Sequence, residues 1–112
     1  MNDCIFCGIA RGVIESGKVY SGGDVFAFND INPQAPVHIV VIPSQHIAKL
    51  EDAKDPAVFS QIFKAIDIIV KEKGLDKNGY RVVVNSGRDA GQAVPHLHFH
   101  ILGGRTLNWP PG

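Results

Sequence analysis

A chain of 112 residues, 45% hydrophobic and 20% charged, fits one soluble domain spanning residues 1–112. Its 11 basic and 11 acidic residues cancel and form no basic patch, which argues against nucleic acid or an anionic membrane as partner. A small anion is still admissible, because backbone N–H groups, histidines and dipoles hold phosphate without net positive charge.

The N-terminus, Met-Asn-Asp-Cys, lacks the charged-then-apolar pattern of a signal peptide. No apolar run approaches the roughly 18 residues that span a bilayer. The only cysteines are Cys4 and Cys7, so the expectation is a reducing, cytoplasmic compartment. Residues 4–11 read as a short helix ended by Gly12. Residues 18–21 and 24–29 read as two strands around the Gly22-Gly23 turn. Residues 30–36 carry Pro33 and Pro36 among turn formers and read as an ordered loop. Residues 37–42 are dense in β-branched side chains and read as the most buried strand, stopped by Pro43. Asp55 and Pro56 open a long helix as N-cap and first helical residue. Its apolar stripe is Phe59, Ile62, Phe63, Ile66, Ile69 and Val70, and Gly74 ends it. Residues 80–85 read as a strand, 86–91 as a polar loop, and 94–102 as a last strand. The tail carries Trp109, read as a surface aromatic, between two short polar and proline-rich stretches. Together these elements predict an α+β fold: an antiparallel sheet of about five strands, one long helix and a short N-terminal helix. Its exposed sheet edges suit pairing with a second copy, so a homodimer is expected.

The last strand carries the chemistry. His96, His98 and His100 are three of the chain's five histidines and alternate with Leu97, Phe99 and Ile101. Side chains on a strand alternate faces, so one face is apolar and the other imidazole. Histidine titrates nearest neutrality, and a cluster suits proton transfer, nucleophilic attack or metal binding. The bland reading is a polar surface strand, which the uniformly apolar opposite face disfavours. Upstream, Asn85, Gly87, Gly91 and Gln92 combine glycines that admit close backbone approach with amides that donate hydrogen bonds. Such a loop either holds a phosphoryl group or is a plain glycine turn.

The run from Gly91 through Gln92, Ala93, Val94, Pro95 and His96 to Leu102 resembles the signature of the histidine triad family. Residues 26–38 and the ending from Gly103 to the Trp109-Pro-Pro segment resemble its nucleotide-binding branch, often called HINT. The resemblance covers nearly the whole chain. It implies an α+β homodimer that binds a purine nucleotide such as AMP or GMP. It further implies hydrolysis of nucleoside phosphoramidates and related adenylates through a covalent nucleotidyl-histidine. On this resemblance His98 is the nucleophile, His100 contacts the phosphoryl oxygens, and His38 completes the histidine network. Asp30 corresponds to the carboxylate that holds the ribose hydroxyls; its plain alternative is a turn-forming Asp. Ile5, Phe6, Ile9, Phe28 and Ile31 correspond to the apolar wall around the base, or else to core packing. Asn85, Gly91, Gln92 and Ala93 correspond to the phosphate and ribose loop.

Two positions depart from the family pattern. Ala93 stands where a serine commonly helps protonate the leaving amine, and a methyl group donates no proton. Asn29 stands where a histidine is common.

Cys4 and Cys7 form a Cys-x-x-Cys pair, and tetrahedral zinc favours two thiolates with two imidazoles. Some family members place a structural zinc with this pattern, which implies Cys4, Cys7, His46 and His96 as ligands here. Buried thiols and a redox pair are the competing readings. A dinucleoside polyphosphate hydrolase is the enzymatic rival, and a nucleotide-binding regulatory module with little turnover is the rival of another class.

Overall fold

The computed structural model describes residues 4–112. Residues 1–3, part of the stretch compared above with a signal-peptide pattern, lie outside the described residues. Segments rich in β-branched and aromatic side chains build five strands: β1 (Gly17–Gly22), β2 (Val25–Asn29), β3 (Val37–Pro43), β4 (Tyr80–Val84) and β5 (Phe99–Gly103). They form one antiparallel sheet in the order β1-β2-β3-β5-β4. β3 is the central strand and the most buried, as its β-branched run predicts.

Each face of the sheet has its own cover. Val25, Ala27, Ile39, Val41, Phe99 and Ile101 pack under the long helix α2 (Ala57–Glu72). That helix turns Ile62, Ala65, Ile66, Ile69 and Val70 inward at three- and four-residue spacing. Burying each large aliphatic side chain contributes about 1.5–3 kcal/mol. Phe63 departs from the predicted stripe: it is 54% exposed, and only its ring edge meets Phe99, with centroids 6.0 Å apart. It follows Ile62 directly and is rotated off the buried face. The helix begins at Ala57 rather than at Pro56, yet the Asp55 carboxylate still accepts from the Ala57 N–H at 3.0 Å.

On the opposite face, Phe28, Val40 and Ile42 pack against the short helix α1 (Ile5–Ala10) through Ile9, Phe6 and Ala10. α1 is shorter at both ends than the predicted 4–11. Two single 3₁₀ turns, Leu50–Asp52 and Arg88–Ala90, carry no periodic signal.

The histidine strand differs most from expectation. The alternation holds, with Leu97, Phe99 and Ile101 all in the core, but the strand begins at Phe99 rather than residue 94. Backbone groups upstream are already committed elsewhere. Pro95 has no N–H, and the Val94 carbonyl accepts from the His96 N–H and from Gln92 Nε2. The Leu97 N–H donates to the Ile47 carbonyl, and the His96 carbonyl accepts from the His98 ring. These bonds divert the chain from regular pairing before Phe99.

Among the described residues no helix is long and apolar enough to cross a membrane. Trp109 is exposed, with the Arg81 guanidinium 5.9 Å from its ring centroid.

Candidate functional site

The α1 face of the sheet gathers the histidines, with Phe6 of α1 against His96 and His98. Extending the β3–β5 and β4–β5 registers by one residue sets His98 between Ile42 and Asn85. His98 is buried, and the edge of the Phe6 ring lies against it at 5.1 Å between centroids. Its Nδ1–H donates to the His96 carbonyl at 2.7 Å. A carbonyl only accepts, so the proton sits on Nδ1 and the lone pair on Nε2. Sequence reasoning expected an acceptor carbonyl in the same strand; the acceptor is the His96 carbonyl, in the segment that leads into β5.

A second chain of contacts fixes the other two rings. The Gln34 backbone N–H donates to His38 Nδ1 at 3.0 Å. His38 must therefore carry its proton on Nε2, which donates to His100 Nδ1 at 2.8 Å. His100 in turn carries its own proton on Nε2. Asp30 lies across from His38, with Oδ2 3.4 Å from His38 Nε2 and Oδ1 accepting from the Asn32 N–H at 2.8 Å. Burial pushes the His38 pKa down, opposed by the Asp30 charge. Burial, then repulsion from His98 and His38, pushes His100 down to about 4, with Asp30 opposing. Both rings are neutral at pH 7, which keeps the tautomers above in force.

The loop before the histidines is held by one side chain. Gln92 Oε1 accepts from the Gly87 N–H at 2.8 Å, and Nε2 donates to the carbonyls of Ala48 at 2.7 Å and Val94 at 3.0 Å. Both amide protons are committed, so the expected donation from Gln92 to a phosphoryl group finds no proton in this arrangement. Gly87 and Gly91 adopt φ of 89° and 79°, which a side chain would strain, and these allow the loop to close on itself. Gly91 and Ala93 are exposed at its rim, and Asn85 is half-buried at the end of β4.

The expected base wall is partly assembled. Phe6 meets Phe28 edge-on at 5.5 Å, and Ile9 shares their cluster. Ile5 is half-exposed, and Ile31 stands 97% exposed beside Asp30.

Cys4, Cys7, His46 and His96 present ligand atoms that all lie within 4.8 Å of one another. His96 Nδ1 is 3.3 Å from Cys4 Sγ and 3.5 Å from Cys7 Sγ, and His46 Nδ1 is 3.3 Å from Cys7 Sγ. Zinc with bonds of about 2.0 Å to nitrogen and 2.3 Å to sulfur needs tetrahedral N···S separations of about 3.5 Å. The tautomer also fits. His96 Nε2–H donates to the Pro43 carbonyl at 2.8 Å, so the Nδ1 lone pair faces the sulfurs. Asp30, His38 and His100 form a second close set of ligand atoms. There the Gln34 N–H occupies His38 Nδ1 and keeps the proton on Nε2, so His38 has no free ring lone pair for a metal and passes a hydrogen bond to His100 instead.

The partners that sequence reasoning missed are backbone groups: the Gln34 N–H and the carbonyl of Pro43. No sequence signal marks them, because every residue carries the same amide.

The HIT domain family matches residues 11–107. A HIT family hydrolase from Legionella pneumophila superposes with a TM-score of 0.94 at 41% identity, covering 98% of this chain and all of its own. A histidine triad protein from Clostridium difficile superposes with a TM-score of 0.93 at 51% identity, over 96% of each chain. A 14 kDa zinc-binding protein of Zea mays is 42% identical over 96% of this chain and 87% of its own. With the triad on β5 and its approach, and the fold shared across the whole sheet, the chain belongs to the HIT domain family.

Proposed function

We propose that this protein is a hydrolase of purine nucleoside phosphoramidates and related adenylates, of the HINT-like branch, acting through a covalent nucleotidyl-His98. The observation that carries the reading is the 2.7 Å bond from His98 Nδ1–H to the His96 carbonyl, which leaves the Nε2 lone pair to act as the nucleophile. Nε2 attacks the α-phosphorus, the bond to the leaving nitrogen breaks, and the amine departs after taking a proton from water. Water then attacks the nucleotidyl-histidine, releasing the nucleoside monophosphate and returning His98 to its neutral form. The His100 Nε2–H donates to a phosphoryl oxygen, and its low pKa keeps it a neutral donor. His38 orients His100. Asp30 accepts from the ribose hydroxyls, and Asn85, Gly91 and Ala93 border the phosphate. Ile5, Phe6, Ile9, Phe28 and Ile31 flank the base; the solvent exposure of Ile31 suits a wall completed by its ligand.

Cys4, Cys7, His46 and His96 would hold zinc, supported by the donor distances and the His96 tautomer. When bound, the ion crosslinks α1 to the segment leading into β5. A second copy pairs along β4, supported by its place at the sheet edge and by exposed Tyr80, Val82 and Phe63 beside it. Ala93 favours a second reading, a nucleotide-binding module with little turnover, because the rim of the site has a methyl where a proton donor would serve.

Steady-state hydrolysis of adenosine phosphoramidates separates these. The hydrolase reading expects turnover by wild type and a loss of at least about 10³-fold in His98→Ala. Tight AMP binding with no turnover supports the binding module.

A further inference from the structure

We propose that Asp30 is a positioning residue for His100 as well as the ribose ligand, so that a bound 2′-hydroxyl commits the His38 proton to His100. The inference rests on the hydrolase reading above and assigns the site its preference for ribonucleotides.

One ring proton serves two acceptors at His38. His38 has one ring proton, and the Gln34 N–H at Nδ1 confines it to Nε2. Two acceptors face that proton: His100 Nδ1 at 2.8 Å and Asp30 Oδ2 at 3.4 Å. The first is a hydrogen bond; the second is too long for a good one but well within charge range. A carboxylate is the stronger acceptor of the two, so a small ring shift toward Asp30 draws the proton away from His100. His100 Nδ1 then has no donor opposite it, and nothing holds the ring's own proton on Nε2, where the phosphoryl oxygen needs it.

The Asn32 N–H donates to Asp30 Oδ1 at 2.8 Å, a local turn contact that orients the carboxylate. Oδ2 is thus the oxygen open both to His38 and to a ligand. A ribose hydroxyl donating to Oδ2 satisfies the competitor and leaves the His38 proton to His100. The Asp30 charge acts on both rings, raising the basicity of His38 and His100 against their burial. Ribose recognition and the donor tautomer of His100 therefore meet at one carboxylate oxygen. A sugar that lacks the hydroxyl costs rate as well as affinity.

The test combines kinetics with nitrogen-15 NMR of the histidine rings in the full chain. For wild type, kcat on an adenosine phosphoramidate should exceed that on its 2′-deoxy analogue by about tenfold, one lost hydrogen bond. In Asp30→Asn that kcat ratio should fall below about twofold, whatever happens to KM. In ligand-free protein the His38 Nε2–H resonance should differ between wild type and Asp30→Asn. Adding AMP should move the wild-type resonance toward the Asp30→Asn position, and 2′-deoxy-AMP should not. A deoxy penalty confined to KM, or a kcat ratio that persists in Asp30→Asn, overturns the coupling. If no phosphoramidate is hydrolysed at all, the hydrolase reading has failed, and the ligand-free spectra still decide: a His38 signal unmoved by Asp30→Asn refutes the positioning role.

Discussion

Replacing Gln92 separates a scaffold from a ligand-binding residue. Its amide makes three hydrogen bonds, to the Gly87 N–H and to the carbonyls of Ala48 and Val94. Each contributes about 1 kcal/mol net, so Gln92→Ala removes up to about 3 kcal/mol. The loop is only half-buried, and water recovers part of this, leaving about 2 kcal/mol. For a domain of this size that lowers Tm by roughly 8 °C. Gln92→Glu should cost at least as much, since a carboxylate still accepts from Gly87 but faces two carbonyls it cannot donate to. The assay is urea and thermal unfolding at one fixed protein concentration, with nucleotide affinity measured alongside. A loss under about 0.5 kcal/mol for both variants, with a large loss of nucleotide affinity, would refute the scaffold role and restore Gln92 as a ligand donor.

Three further outcomes follow from the same geometry. His100 has a folded pKa of about 4 against an ordinary 6.5, so its contribution is full above pH 6.5 and is lost as pH falls through about 4. After allowance for its partial exposure this is worth about 1–2 kcal/mol, and unfolding free energies between pH 7 and 4 should flatten by that amount in His100→Gln. Protein purified without chelator should carry about one zinc per chain by elemental analysis. Cys7→Ser should lose the zinc and melt earlier, whereas metal-free wild type with both thiols readily titrated would contradict the site. Ala93→Ser should raise turnover of amine-leaving substrates several-fold by supplying a proton donor, with little change for substrates whose leaving group needs none; equal rates for both enzymes would remove that role from this position.

The side-chain pattern made much of this legible. The alternation of Leu97, Phe99 and Ile101 with the histidines marks the core face of β5, and the unbroken β-branched run in β3 marks the buried centre of the sheet. The Cys-x-x-Cys pair, with the two histidines that the family resemblance implies, named four residues that do converge. The start of β5 was not legible, because it depends on where the carbonyls of Val94 and His96 are used. The same holds for Gln92, whose amide looked like a ligand donor until its three protein partners were in place. Phe63 fits a helical stripe by spacing alone, yet the helix is rolled so that Ile62 and Ala65 take the buried face. The tautomers of His38 and His98 rest on one backbone N–H and one backbone carbonyl, groups that are the same in every sequence.

The central claim is a covalent bond from phosphorus to His98 Nε2. Rapid quench of wild type with an adenosine phosphoramidate into alkaline denaturant, which preserves the acid-labile phosphorus–nitrogen bond, followed by mass spectrometry of the intact chain and its peptides without acid, reads it directly. The account predicts a nucleotidyl mass added to the peptide that contains His98 in wild type, and its absence from His98→Asn. Turnover by wild type with no adduct at any time point, or an adduct that persists in His98→Asn, would contradict it.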